Sequence, residues 1–275
     1  MSVQITTAFV EQYKSNVFHL AQQKGSRLRD AVRTETVTGK SHFFERIGSS
    51  AAEKRTSRHS DTPRMDTPHS RRKVSLEDYD WADLIDQEDK VRMLISPQSE
   101  YALAGAWAMG RAMDDAIIAA ATGNALGGVS GGTTVALPSA QKVAHGSAGL
   151  TLAKLLSAKE VLDKNDTDPD EPRYMLVTAG QLADLLGITS VTSADFNSVK
   201  ALVQGDVDTF LGFNFIRTER LGLDSDSNRQ VLGFCQSAIG LAVGADVQTK
   251  ISERADKNYA TQVFLSMSIG ATRIE

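Results

Sequence analysis

The stretch SPQSEYALAGAWAMGRAMDDAIIAAATG, residues 96–123, decides the fold. Ser96 suits a helix N-cap, and Pro97 falls at the first helical position, where its missing N–H costs nothing. Glu100 puts negative charge near the positive end of the helix dipole. Gly123 with Asn124 supplies a stop. At about 1.5 Å per residue such a helix is roughly 35–40 Å long. Much of its surface is small, through Ala102, Ala104, Gly105, Ala106, Ala108, Gly110, Ala112, Ala116, Ala119, Ala120 and Ala121. Bulk comes from Tyr101, Leu103, Trp107, Met109, Met113, Ile117 and Ile118. Arg111, Asp114 and Asp115 interrupt the apolar run and argue against a membrane span. Arg111 and Asp115 are spaced to pair at i,i+4. The stretch therefore reads as the buried backbone rod of a larger mixed fold.

Upstream, apolar residues at Phe9, Tyr13, Val17, Phe18 and Leu20 recur at helical spacing and predict an amphipathic helix over residues 5–24, ended by Gly25. It either docks on its own domain or forms an arm for a partner. RTETVTGKSHFFERIG and RRKVSLEDYDW are strand-like, and between them EKRTSRHSDTPRMDTPHS is polar, with Pro63 and Pro68. A long structureless loop is uncommon inside a compact domain and usually functional. Two strand-like flanks point to an extended two-stranded arm. Its charge is lopsided: Arg46, Lys54, Arg55, Arg58, Arg64, Arg71, Arg72 and Lys73 outnumber Glu45, Glu53, Asp61 and Asp66. The next segment inverts the sign with Glu77, Asp78, Asp80, Asp83, Asp86, Glu88 and Asp89. A basic arm can fold back on this acidic base or pair with that of an adjacent copy. It lacks the aromatic interleaving of a single-strand nucleic-acid binder.

Downstream, the glycine cluster Gly127, Gly128, Gly131 and Gly132 is not a phosphate loop. Thr133 and Thr134 follow where a lysine is required, and the cluster comes after a helix rather than a strand. A turn is the better reading. Gly149–Asp163 predicts a second helix, and NDTDPDEP, residues 165–172, is a breaker and candidate boundary. Then come a strand at 174–177, helices at 179–186 and 195–203, and a strand at 210–216. Residues 231–243 are ambiguous, and a closing strand or strand pair covers 263–274. The irregular alternation indicates α+β.

The 275 residues suffice for one large or two modest domains, and 41% hydrophobic with 23% charged residues is ordinary globular composition. A net charge of −4 argues against general nucleic-acid binding by the whole chain. One cysteine, Cys235, excludes an internal disulfide and a multi-cysteine zinc site; its apolar surroundings make it a buried structural thiol. The first residues lack a signal-peptide pattern, giving the expectation of a cytoplasmic product. The five histidines form no HExxH spacing, and GxSxG is absent. Neighbouring Asp114 and Asp115 diverge by about 100° on a helix. No catalytic, cofactor-binding or metal residue is nominated.

The whole order resembles the major capsid proteins of tailed bacteriophages, the Hong Kong 97-type fold. It runs from an N-terminal arm through a charged hairpin, spine helix, second helix and acidic linker to an α+β domain and return strand. The most family-like stretches are TFLGFNFIRTERL (Thr209–Leu221) and AIGLAVGADVQTKISERADKNYATQVFLSMSIGATRIE (Ala238–Glu275). The resemblance implies an N-arm at 1–32, an extended loop at 33–80, a peripheral domain at 81–168 and 257–275, and an axial domain at 169–256. It implies no active site. The implied function is to tile a virion shell in pentamers and hexamers around double-stranded DNA, assembled in the bacterial cytoplasm without a membrane. Scaffolding, portal and decoration proteins are further candidate partners. Arg46, Lys54, Arg55, Arg58, Asp78 and Asp83 are the expected contacts between copies. Two alternatives stay open: an encapsulin-like nanocompartment, and a nucleic-acid-binding protein using the basic segment 46–73.

Overall fold

The computed structural model describes residues 22–59, 61–62, 64–86, 97–165, 167–186 and 209–275. Strands β1 (Arg33–Thr36), β2 (Ser41–Ile47), β3 (His69–Ser75) and β4 (Glu77–Ile85) precede helix α1 (Pro97–Thr122). Then come β5 (Ala125–Gly127), β6 (Thr133–Val135), α2 (Leu152–Lys164), β7 (Arg173–Val177) and α3 (Ala179–Leu186). The chain closes with β8 (Thr209–Phe210), β9 (Phe213–Arg217), β10 (Leu232–Cys235), β11 (Ile239–Arg254) and β12 (Ala260–Arg273). The fold is α+β. No described helix is long and apolar enough to cross a membrane.

The body is α1 laid on a four-stranded sheet of order β1-β11-β12-β4. Met109, Met113, Ile117 and Ala121 recur every four residues and form a buried stripe on α1. Along β12 the alternation does the same job at period two: Val263, Leu265, Met267 and Ile269 are buried, with the less buried Phe264, Ser266 and Ser268 between them. These residues join one core with Leu28, Ile239, Leu241 and Val243. Each fully buried aliphatic side chain contributes about 1.5–3 kcal/mol. The expected rod is therefore a core helix, and the small residues have a use. At Gly105 an added Cβ would lie 2.7 Å from both Leu265 and Trp81, so the sheet packs directly on the helix backbone.

A second core serves another sheet, β10-β7-β9-β8, with α2 and α3. Its residues are Leu150, Leu155, Met175, Val177, Leu182, Leu185, Phe213 and Phe215. Thr151 caps α2 by accepting from the Lys154 N–H. Residues 210–216, expected as one strand, are split by a turn at Leu211 and Gly212, both with positive φ. Gly212 tolerates that conformation, and the chain doubles back so that Phe210 pairs with Phe213. The ambiguous 231–243 is two strands, β10 and the start of β11, separated by a 3-10 turn at Gln236–Ala238.

The third sheet, β2-β3-β5-β6, carries the expected arm. β2 and β3 pair from Ser41↔Ser75 to Ile47↔His69. The glycine cluster is a turn, as expected, but it is the turn of a β5–β6 hairpin that adds two strands to the arm.

Several expectations are revised. Residues 22–24 are not helical, so a helix does not run on to Gly25. The rest of the helix expected over 5–24, the N-cap Ser96 and the helix over 195–203 lie outside the described residues. Arg33–Thr36 and Glu77–Ile85 pair with β11 and β12, so the arm proper spans Ser41–Ser75 rather than 33–80. Likewise β11 lies in the sheet under α1 while α2 packs in the second core, so elements cross both expected domain limits, 168 and 256. For the arm and the sheets, strand pairing across the sequence, which no local pattern reveals, decides membership.

Candidate assembly surfaces

The arm stands on a small core of its own. Val37, Phe44, Val74, Ala242 and Ile274 are buried together, with Leu76 against them. Phe44 sits directly on the backbone of β11: a Cβ at Gly240 would lie 2.6 Å from its ring. Polar ties complete the root. Arg46 donates from Nη1 to the Ile274 carbonyl at 2.9 Å and from Nη2 to the Glu275 carboxylate at 3.2 Å. Arg71 pairs with Glu45 at 2.9 Å. Arg72 is half-buried, and burial and the charge of Arg46 lower its pKa, partly offset by Glu275.

Beyond the root the arm is polar and exposed. Lys54, Arg55 and Arg58 are exposed; Arg55 donates to the Ser57 carbonyl at 2.8 Å. Among the described residues, Lys54 and Arg58 make no ion pair. Ile47, 70% exposed, and Met65, 44% exposed, add apolar surface that this subunit leaves uncovered. The acidic segment expected after the arm is β4, an edge strand of the body sheet. Glu77, Asp78 and Asp80 are exposed along it, while Asp83 is half-buried and accepts from the Leu84 N–H at 2.8 Å. Within the subunit Lys54, Arg55 and Arg58 do not pair with Asp78 or Asp83. Of the six residues nominated from sequence, Arg46 alone is engaged in a fixed ion pair, and that pair is with its own chain.

Sequence reasoning missed the ties that hold the body. Arg111 and Asp115 do not pair with each other. Arg111 donates to Gln22 at 3.0 Å and to the Gln23 carbonyl at 3.1 Å, while Asp115 takes a bidentate pair from Arg220. Asp114 is fully buried and accepts from Gln23, from the Ser26 hydroxyl at 2.6 Å and from the Arg27 and Leu28 N–H groups at 3.1 Å. The segment leading in from the N-terminus is thus pinned to the middle of α1. An aspartate inside an Ala-rich helix was the available signal, since a buried carboxylate requires donors. Cys235 is buried, and burial pushes its thiol up to about 11, so it is neutral at physiological pH.

A family model described as phage capsid protein matches residues 5–275. No curated protein matches the sequence. Solved structures do. The capsid of Ralstonia phage GP4 superposes with a TM-score of 0.71 at 9% identity, over 99% of this chain and 93% of that one. The capsid of the cyanophage P-SCSP1u gives 0.69 at 19% identity, over 97% and 90%. The capsid of a native GTA particle gives 0.68 at 13% identity, over 96% and 91%. At these identities the structures speak for the fold.

Proposed function

The chain belongs to the phage capsid protein family, and on that premise we propose that it tiles a closed icosahedral shell as pentamers and hexamers around double-stranded DNA. Its role is structural; the proposed activity is self-association in the host cytoplasm, with no catalytic step. In this reading residues 1–32 are an arm, the hairpin reaches a neighbour, the body around α1 is the peripheral domain, and the unit carrying α2 and α3 is the axial domain. Scaffolding, portal and decoration proteins are the further partners in keeping with such a shell.

The observation that carries the reading is the unfinished state of the hairpin. Beyond its paired strands it holds exposed cations at Lys54, Arg55 and Arg58 and an exposed Met65, with exposed Ile47 at the end of β2. An edge strand bearing Asp78 and Asp83 lies on the same subunit. A tip of one copy laid over β4 of the next satisfies both. Single exposed ion pairs contribute only about 0.2–1 kcal/mol, but a shell repeats them at every contact. Weak, repeated pairs also let misplaced subunits leave.

Reversing Arg55 and Arg58 to Glu tests this. The soluble subunit should keep its unfolding midpoint within about 0.5 kcal/mol, as surface changes do, while shell yield collapses. Combining that variant with Asp78→Arg and Asp83→Arg should restore part of the yield. Normal shells from the reversed variant alone would remove the proposed contact.

A further inference from the structure

The last three residues touch the arm from two sides. In the sheet β2-β3-β5-β6 the outermost strands are β2 and β6. Arg46 on β2 donates to the Ile274 carbonyl and the Glu275 carboxylate. Arg273, 6% exposed, donates from Nη2 to the Val135 carbonyl of β6 at 2.8 Å. Its Nη1 donates to the Gly123 carbonyl at 2.7 Å, just past the C-terminus of α1. Ile274 between them is buried in the arm's own core with Phe44 and Val74. Both edges of one sheet are therefore held by a single tripeptide, which is also anchored to the end of α1. Two separated points fix a direction where one point permits rotation. Burial and the nearby charge of Arg72 lower the Arg273 pKa, so desolvation opposes its charge and carbonyl acceptors offset that.

We propose that Arg273–Ile274–Glu275 is a two-point clamp that sets the direction in which the hairpin leaves the body, and through it the hairpin's reach toward an adjacent copy. The first half concerns the isolated subunit. The second rests on the shell reading above.

The test uses the full chain with Arg46→Gln, Arg273→Gln and, as a control in the same hairpin, Arg71→Gln. Hydrogen–deuterium exchange is read on unassembled subunit, and particle diameter by electron microscopy. Losing a charge-assisted hydrogen bond should speed amide exchange in 41–47 and 69–75 about tenfold in Arg46→Gln. Arg273→Gln should do the same and also speed exchange across 119–135. Arg71→Gln, which loses only an exposed cross-strand pair with Glu45, should speed hairpin exchange by less than about threefold, and the amides of 263–269 should stay protected in all three. Should Arg273→Gln fail to fold, Glu275→Ala removes part of the Arg46 contact without emptying a buried position. Unchanged hairpin exchange in Arg46→Gln, or an equal rise in Arg71→Gln, would overturn the clamp. A loosened hairpin that still gives particles of parental diameter would overturn its link to reach. If the parent forms no particles, the shell reading fails, while the exchange data still decide the clamp.

Discussion

The body and the hairpin of this subunit are both built from long strands, yet they are held by different physics. The body buries a continuous layer: Leu241, Val263 and Leu265 are fully inaccessible, and Met109, Met113 and Ile117 cover them from α1. The core at the hairpin's root has five buried residues, and only two of them, Phe44 and Val74, lie within Ser41–Ser75; Val37, Ala242 and Ile274 come from outside it. From Gly48 to Ser57 every residue is exposed. The body's core closes within one chain, whereas the hairpin leaves Ile47, Lys54, Arg55 and Arg58 exposed; on the proposed shell reading, that exposed surface is what assembly covers.

The contrast can be broken by emptying one core at a time. Leu265→Ala should cost the whole subunit about 2–5 kcal/mol, read as a shift in the denaturant midpoint with an unchanged slope. A variant that loses less than about 1 kcal/mol would mean the α1–sheet layer is not the main core. Phe44→Ala removes a comparably buried side chain, 1% exposed, from the hairpin root. Its cost should be mainly local: faster exchange in 41–47 and 69–75, with the body's midpoint moving by under about 1 kcal/mol. A full global penalty would show that hairpin and body unfold as one unit.

A smaller effect sharpens the account of the body. Asp114→Asn leaves the shape intact but turns an amide N–H2 donor toward donors already placed by Ser26, Arg27 and Leu28. A loss of about 1–3 kcal/mol is expected, with exchange rising in residues 23–31. The smallest effect is at Asp246. The Arg29 hydrogen bond holds its carboxylate below its usual value, helped by the Val247 N–H and the Arg29 charge. A depressed folded pKa means its stabilisation is present above the unfolded value of 3.8 and fades as pH falls through the folded value. The pair is half-exposed, so Asp246→Asn should cost under about 1 kcal/mol at pH 7. That cost should shrink as pH falls below 3.8.

What was legible in the sequence follows the same division. α1 announced itself because Pro97, Gly123 and the spacing of Met109, Met113 and Ile117 are all local. β12 was legible because Val263, Leu265, Met267 and Ile269 alternate. The hairpin was read from composition, and its paired strands appear at Ser41–Ile47 and His69–Ser75. What stayed hidden was long-range. Nothing near Arg46 points to Glu275, nothing near Asp115 points to Arg220, and nothing in Thr133–Val135 says that it extends an arm formed by residues 41–75. Glycines at 127–132 suggested a turn without saying which strands it joins. The spacing of Arg111 and Asp115 suggested a helix pair that better-placed partners displaced.

The most direct test of the central claim, a self-sufficient body completed by its neighbours, is electron microscopy of the purified full-length protein, with sedimentation on the same sample. Closed shells, or free rings of five and six copies, are the expected result. A folded monomer or dimer that stays so on concentration and beside a scaffold partner would contradict it.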